Sequence, residues 1–174
     1  MKSYALRVGT TRSPPRPGPI PPVFERFTVP ALSAIAAGER TAAELEHEYV
    51  EPFHLLLGLL RTEGSLGAEV LRRHQIQLED AVHRAQLRGP RRAHQATGIF
   101  SDAARQIVAQ DALRHAYQHG EARIGTGHVL LAVVDTNGLV TEILGAGPVS
   151  EEIAAEVMRE LSGDEDPDGS VRRE

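Results

Sequence analysis

The chain says nearly the same thing twice. Residues 52–64 read PFHLLLGLLRTEG and residues 126–138 read TGHVLLAVVDTNG, so a His at the start of an apolar run recurs 74 residues later. Each run closes in a polar turn that ends in Gly, at Gly64 and Gly138. Phe27 and Phe100 recur at 73 residues, so the second copy carries about one extra residue before its run. A repeat of this length is one supersecondary unit used twice. Each apolar run is hydrophobic almost all round, which a helix tolerates only when buried on every side. One unit cannot cover such a helix, whereas two packed together can cover both.

The rest of the pattern is helical. Thr28 is a suitable N-cap for a helix over about 29–46, with Leu32, Ile35, Ala36, Ala42 and Leu45 at helical spacing. Gly38 inside that helix costs about 1 kcal/mol relative to Ala. Pro52 suits the first position of a second helix over 52–62, and short helices over 66–74 and 78–87 follow. Residues 88–98, RGPRRAHQATG, read as a linker. The order then restarts, with helices over 102–119, 127–135 capped by Thr126, 139–145 and 150–161. The predicted fold class is all-α, two tandem four-helix repeats: 24–88, a linker over 89–98, and 99–162.

Two flanks stand apart from this pattern. Residues 1–23 contain the Pro-rich stretch TRSPPRPGPIPP, carry Lys2, Arg7, Arg12 and Arg16 without an acid, and read as an extended, disordered arm. Residues 163–174 read as a disordered acidic tail.

Composition removes several function classes. There is no Cys, which excludes disulfides, thiolate zinc sites and Cys nucleophiles. Lys2 is the only Lys in the chain, so no P-loop motif is present. Aromatics make up 4% and Trp is absent, which argues against a platform for stacking bases. A net charge of −5 argues against a nucleic-acid partner. The basic run His83, Arg84, Arg88, Arg91, Arg92 and His94 is then read as a solvated linker rather than an RNA contact. The longest apolar run, Leu55 to Leu60, is far short of the roughly 20 residues that span a bilayer. No signal-peptide hydrophobic core opens the chain, and a cytoplasmic, soluble protein without membrane contact is expected. His47 with His54, and His115 with His119, lack an evident third ligand, so no metal is expected. No G-x-S-x-G and no nucleophile–base pair appear, and neither an enzyme nor a cofactor is expected. His54 and His128 read as structural, hydrogen-bonded in the first turn of their helices.

Three segments carry a family resemblance. FERFT at 24–28, HEYVEPFHLLLGLLRTEG at 47–64 and RIGTGHVLLAVV at 123–134 resemble the N-terminal repeat domain of Clp unfoldases, closest to the C-type ATPases that feed a barrel protease. The resemblance covers about 24–162. It implies eight helices in two repeats with pseudo-twofold symmetry, and a module that binds peptides, adaptors and substrate proteins while the chemistry belongs to ATPase rings. The chain ends after this module, so a free-standing receiving domain is expected, acting as a regulator, adaptor or decoy of a Clp system. The family domain begins Met-Phe-Glu-Arg-Phe-Thr, and Val23 holds the Met position. Val is how a GTG start codon reads when translation is assigned from further upstream. Residues 1–22 are then either an artefact of start assignment or a genuine arm.

The chain also departs from the family. Its motif Gly-Thr-Glu-His opens the central helix of each repeat, and the resemblance implies that the Glu binds phosphoarginine, a carboxylate taking the guanidinium. Here the two copies read Glu51-Pro52-Phe53-His54 and Gly125-Thr126-Gly127-His128. Phe53 and Gly127 have no side-chain acceptor, which argues against phosphoarginine reading at both positions. A second feature implied by the resemblance is an apolar patch that takes cyclic peptides. Phe24 and Phe100 match its aromatics, Arg105 replaces the usual Lys, and Ala109 replaces an acid. Sequestering a cyclic peptide is therefore the alternative function. Phe24 and Phe100 serve equally well, on sequence alone, as core plugs at the start of each repeat.

Overall fold

A computed structural model describes residues 22–88, 99–145 and 148–163. The arm expected over 1–23, the linker over 89–98 and the tail over 163–174 lie almost wholly outside the described residues. The described residues form eight α-helices, joined by turns and isolated β-bridges.

A 3₁₀ turn, Pro22–Arg26, leads into α1, Val29–Glu44. Then come α2, Pro52–Leu60, α3, Leu66–Arg73, and α4, Leu78–Arg88. The second set begins with α5, which runs through Asp102–Gln106, a π-helical turn at Ile107–Asp111, and Ala112–Gln118. It continues with α6, Thr126–Val134, α7, Leu139–Leu144, and α8, Val149–Ser162. Side-chain caps start three of these helices. Thr28 accepts from Ala31 N at 3.4 Å, Ser65 from Ala68 N at 3.3 Å, and Ser101 from Ala104 N at 3.2 Å. Thr28 and Ser101 hold equivalent places in the two repeats.

The repeats are tied by reciprocal backbone bonds. Thr28 N donates to Ile124 O at 2.9 Å, and Ile124 N donates to Arg26 O at 2.8 Å. The same exchange recurs with the roles of the repeats swapped. Ser101 N donates to Val50 O at 3.0 Å, and Val50 N donates to Ile99 O at 2.8 Å. Each repeat thus pins the segment before its partner's central helix, and this is the pseudo-twofold relation of the fold. Helices cross the seam as well. The third helix of each set packs against the second and fourth of the other: α3 on α6 and α8, α7 on α2 and α4. The central helices are sealed by this exchange. Every residue of α6 is buried, as is every residue of α2 after Pro52. Arg73 on α3 bonds Glu156 at 2.8 Å and Glu160 at 2.6 Å, both on α8, while His74 reaches the second oxygen of Glu156 at 2.7 Å. Burial raises the Glu156 carboxyl, but the bonds from Arg73 and His74 outweigh it and leave the pKa below its ordinary value.

Three local expectations change. The helix over 102–119 is interrupted by the π turn, which apolar spacing does not reveal. The cap of α6 is Gly125 rather than Thr126. Thr126 is the first residue of the helix, and its hydroxyl accepts from Gly67 N at 3.2 Å, satisfying a free N–H in the first turn of α3 in the other repeat. Gly38, costly in an isolated helix, is where α1 and α2 meet. A Cβ there would lie 2.8 Å from His54 O, and a Cβ on Gly58 would lie 2.0 Å from Ala34 O. The two backbones touch, and only hydrogen fits between them. Gly58→Ala should therefore destabilise the fold by about 3 kcal/mol or more, read as a lower denaturant midpoint. Gly64→Ala, with open space around its Cβ, should cost less despite its φ of 68°.

Candidate functional site

The His residues at the head of each central helix are fixed by the backbone. His54 is the third residue of α2, and its Nδ1 accepts the Glu51 N–H at 2.8 Å. His128 does the same in α6, accepting from Gly125 N at 3.0 Å. This is the return half of a capping box, with imidazole in place of the usual carboxylate or amide. Because Nδ1 is an acceptor, the ring proton sits on Nε2. In the first repeat Nε2 then donates to His47 Nδ1 at 2.8 Å. In the second the nearest ring is that of His119, centred 5.8 Å away, and His128 Nε2 has no hydrogen-bond partner among the described residues. Burial, then the neighbouring His47, pushes the His54 pKa down to about 3. Burial, then His119 and His115, pushes His128 down to about 4. Both rings are wholly buried and neutral near pH 7.

The neighbouring motif positions turn inward. Phe53 is buried, its ring 4.0 Å from that of His54 and edge-on to His47 at 5.8 Å. Gly127 lies under α3 and α8, where a Cβ would meet Leu66 Cδ2 at 2.9 Å, Val157 Cγ1 at 3.3 Å and Leu161 Cδ2 at 3.4 Å. Neither position presents a polar side-chain atom to solvent.

An open apolar groove lies on α5. Ala109 and Gln110 in the π turn, with Leu113, Arg114, Tyr117 and Gln118, line one open groove of about 530 Å³. Its floor is the stripe Ala109, Leu113 and Tyr117 at four-residue spacing, and Tyr117 is 57% exposed. Arg26 stacks on the Tyr117 ring at 5.5 Å and donates to its hydroxyl, joining the 3₁₀ turn to this face. Phe24, in that turn, is half-buried with its ring 5.6 Å from Phe27. Phe100 is half-buried beside the core and bridges to Val50. No ring contact joins Phe24 to Phe100 among the described residues. Phe100 is the counterpart of the buried Phe27, not of Phe24. Arg105 is exposed and paired with Asp102 one turn earlier. Of the residues singled out by sequence, Ala109 alone lines the groove. Leu113 and Tyr117 carry a readable signal, the apolar stripe, but periodicity does not tell an exposed stripe from a buried one. No group of three metal-ligating side chains occurs among the described residues. Nor is any described helix long and apolar enough to cross a membrane.

The arrangement is that of an all-α, duplicated domain. Residues 26–147 match the family model for the Clp repeat (R) N-terminal domain, and the chain belongs to that family. Over 144 residues it is 32% identical to the ATP-dependent Clp protease ATP-binding subunit ClpA homolog of Porphyra purpurea, covering 82% of this chain and 16% of that protein. Over 148 residues it is 32% identical to the chloroplastic chaperone protein ClpC1 of Oryza sativa subsp. japonica, again 82% of this chain and 16% of the relative. The chain thus spans about a sixth of the length of these relatives. Among solved structures, the N-terminal domain of ClpD from Arabidopsis thaliana superposes with a TM-score of 0.66 at 22% identity, over 81% of this chain and 97% of that one. The Hsp104 N-terminal domain from Candida albicans gives 0.64 at 20%, over 80% and 93%. These structures share the all-α fold.

The buried imidazoles set a pH dependence. The folded chain holds both neutral, while the unfolded chain protonates them near the ordinary His value of 6.5. Their contribution is fully present above that pH and is lost as pH falls toward 4 and 3. Each should remove up to about 1.4 kcal/mol per pH unit in that window. Denaturation from pH 7 to 5 should show this slope, and the His54→Gln, His128→Gln double variant, which keeps an acceptor at both caps, should flatten it.

Proposed function

We propose that this chain is a non-enzymatic protein-binding module that takes apolar, unstructured peptide segments on the α5 groove, as a receiving domain for substrates or adaptors of a Clp unfoldase system. The observation that carries this reading is the stripe of exposed Ala109 and Tyr117 with half-buried Leu113 between them, lining one open groove. Exposed apolar surface of this kind marks interaction sites. Arg26 orients Tyr117 and extends the face toward Phe24. Family membership supports the same reading, because the relatives are Clp protease subunits and chaperones. This sequence, whose sole Lys is Lys2, carries no P-loop motif, and the module itself would act by binding. The two inward-turned motif positions argue against phosphoarginine as the recognised mark. Phe53 offers no acceptor, and a Glu at Gly127 would have to displace Leu66 and Leu161.

Fluorescence anisotropy with a labelled, permanently unfolded polypeptide tests this. The full chain should bind it, Leu113→Ser with Tyr117→Ala should weaken binding about tenfold or more, and free phosphoarginine should not compete. Equal binding by the double variant would remove the groove from the account. Competition by phosphoarginine would overturn the reading of Phe53 and Gly127.

A further inference from the structure

Asn137 is the only Asn in the chain, and Gly138 follows it. The pair lies in the turn between α6 and α7, and both residues are exposed. The chain is pinned on either side of them. Thr136 N donates to Val133 O at 3.1 Å, and the Thr136 hydroxyl donates to the same oxygen at 2.6 Å. Gly138 O accepts from Glu142 N at 3.1 Å, in the first turn of α7. Between these anchors the peptide unit is unbonded. Among the described residues, neither the Asn137 carboxamide nor the Gly138 N–H has a hydrogen-bond partner.

Gly138 has a φ of 81°, a conformation in which a side chain is strained, so the turn calls for Gly here. Nothing lies within 4 Å of the point a Cβ would occupy, which leaves the Gly138 nitrogen unshielded on that side. The first repeat builds the equivalent turn differently. Thr62, Glu63 and Gly64 there align with Thr136, Asn137 and Gly138. Ser65 N donates back to Thr62 O at 3.4 Å, a bond without a counterpart in the second turn among the described residues. The middle residue of the first turn is also already an acid.

We propose that Asn137 is a site of spontaneous deamidation, converted to aspartate and isoaspartate while the chain is folded. The two reactants are its exposed carboxamide and the unbonded amide nitrogen one residue on. The Gly138 nitrogen gives its proton to solvent and attacks Asn137 Cγ. A C–N bond closes a five-membered succinimide, and the carboxamide nitrogen takes up a proton and leaves as ammonia. Water then adds to one of the two ring carbonyls and breaks its bond to the Gly138 nitrogen. Opening at Cγ gives aspartate in the same side-chain position but with the backbone rerouted, which is isoaspartate; opening at the main-chain carbonyl restores the ordinary linkage. The balance is Asn and water to acid and ammonia, with no electron transferred.

The two products act differently on the fold. Ordinary aspartate reproduces the acid that Glu63 supplies in the first repeat. Isoaspartate adds a methylene to the main chain between Thr136 and Gly138. That shifts the entry to α7, the six-residue helix that crosses the seam onto α2 and α4. The far end of α7 is fixed, because Arg84 Nη1 on α4 donates to Glu142 O at 2.6 Å and to Ile143 O at 3.1 Å. A longer link at one end of a short helix held at the other disturbs its packing on the seam.

The test is mass spectrometry of the full chain aged in mildly alkaline buffer, with and without urea, and then digested with trypsin. The peptide 124–159 contains Asn137 and no Gln, so a gain of about 1 Da in it reports this site alone. The folded chain should convert at a rate within about threefold of the urea-unfolded chain, as an unprotected turn does, and give two products that separate by chromatography. Asn137→Gln should all but abolish the gain. Gly138→Ala should slow it about tenfold in urea, where the backbone strain of that variant plays no part. The isoaspartyl form should melt several degrees below the fresh chain, while Asn137→Asp should not. Conversion in urea without conversion in the folded chain overturns the proposal, as does a gain that survives Asn137→Gln. An isoaspartyl form as stable as the fresh chain overturns the effect on the seam.

Discussion

Four backbone hydrogen bonds, two in each direction, hold the entry to each central helix against the other repeat. Thr28 and Arg26 clasp Ile124, while Ser101 and Ile99 clasp Val50. The rest of the molecule follows from that clasp. It sets α2 and α6 side by side in the middle, where helices apolar on every face are stable only if every face is covered. It also brings α3 and α7 across the seam to finish the covering. The ion cluster of Arg73, His74, Glu156 and Glu160 lies on one of those crossings. The Arg84 anchor on α7 lies on the other. Each repeat supplies what the other lacks, so the unit of folding is the pair.

That arrangement also decides where binding can occur. The starts of α2 and α6 are consumed by packing, with His54 and His128 spent on backbone caps, Phe53 turned into the core and Gly127 pressed beneath α8. Surface left for a partner lies on helices that only half face the core. On α5 the π turn carries Ala109 and Gln110 outward into line with Leu113 and Tyr117. A π turn adds a residue to the helical register without breaking the helix, and such turns recur at functional sites. The central helices hold the molecule together, while the outer face of α5 leaves Ala109 and Tyr117 in solvent.

Much of this is legible in the residues. The duplicated apolar run points to the two-repeat, all-α fold, and Thr28 and Pro52 mark helix starts within a residue or two. His54 and His128 accept backbone N–H groups in the first turns of their helices. Other features depend on distances that spacing does not encode. Gly38 reads as a defect until α2 is seen lying on it. Thr126 reads as a cap for its own helix, but it serves Gly67 in the other repeat. The exchange of α3 and α7 across the seam has no signature in one repeat taken alone. The groove on α5 is hidden from the sequence for a related reason: an apolar stripe looks the same whether another helix covers it or not.

The most direct test of the interlocked seam is native-state hydrogen exchange at four amides, those of Thr28, Val50, Ser101 and Ile124. If the clasp makes one folding unit of the two repeats, all four exchange only through global unfolding, with the same opening free energy and the same response to denaturant. Exchange of the Thr28 and Ile124 pair at a lower free energy than the Val50 and Ser101 pair, or the reverse, would show that one side of the clasp opens alone. The repeats would then be two neighbours in contact rather than one interlocked unit, and the clasp would not be what holds the fold together.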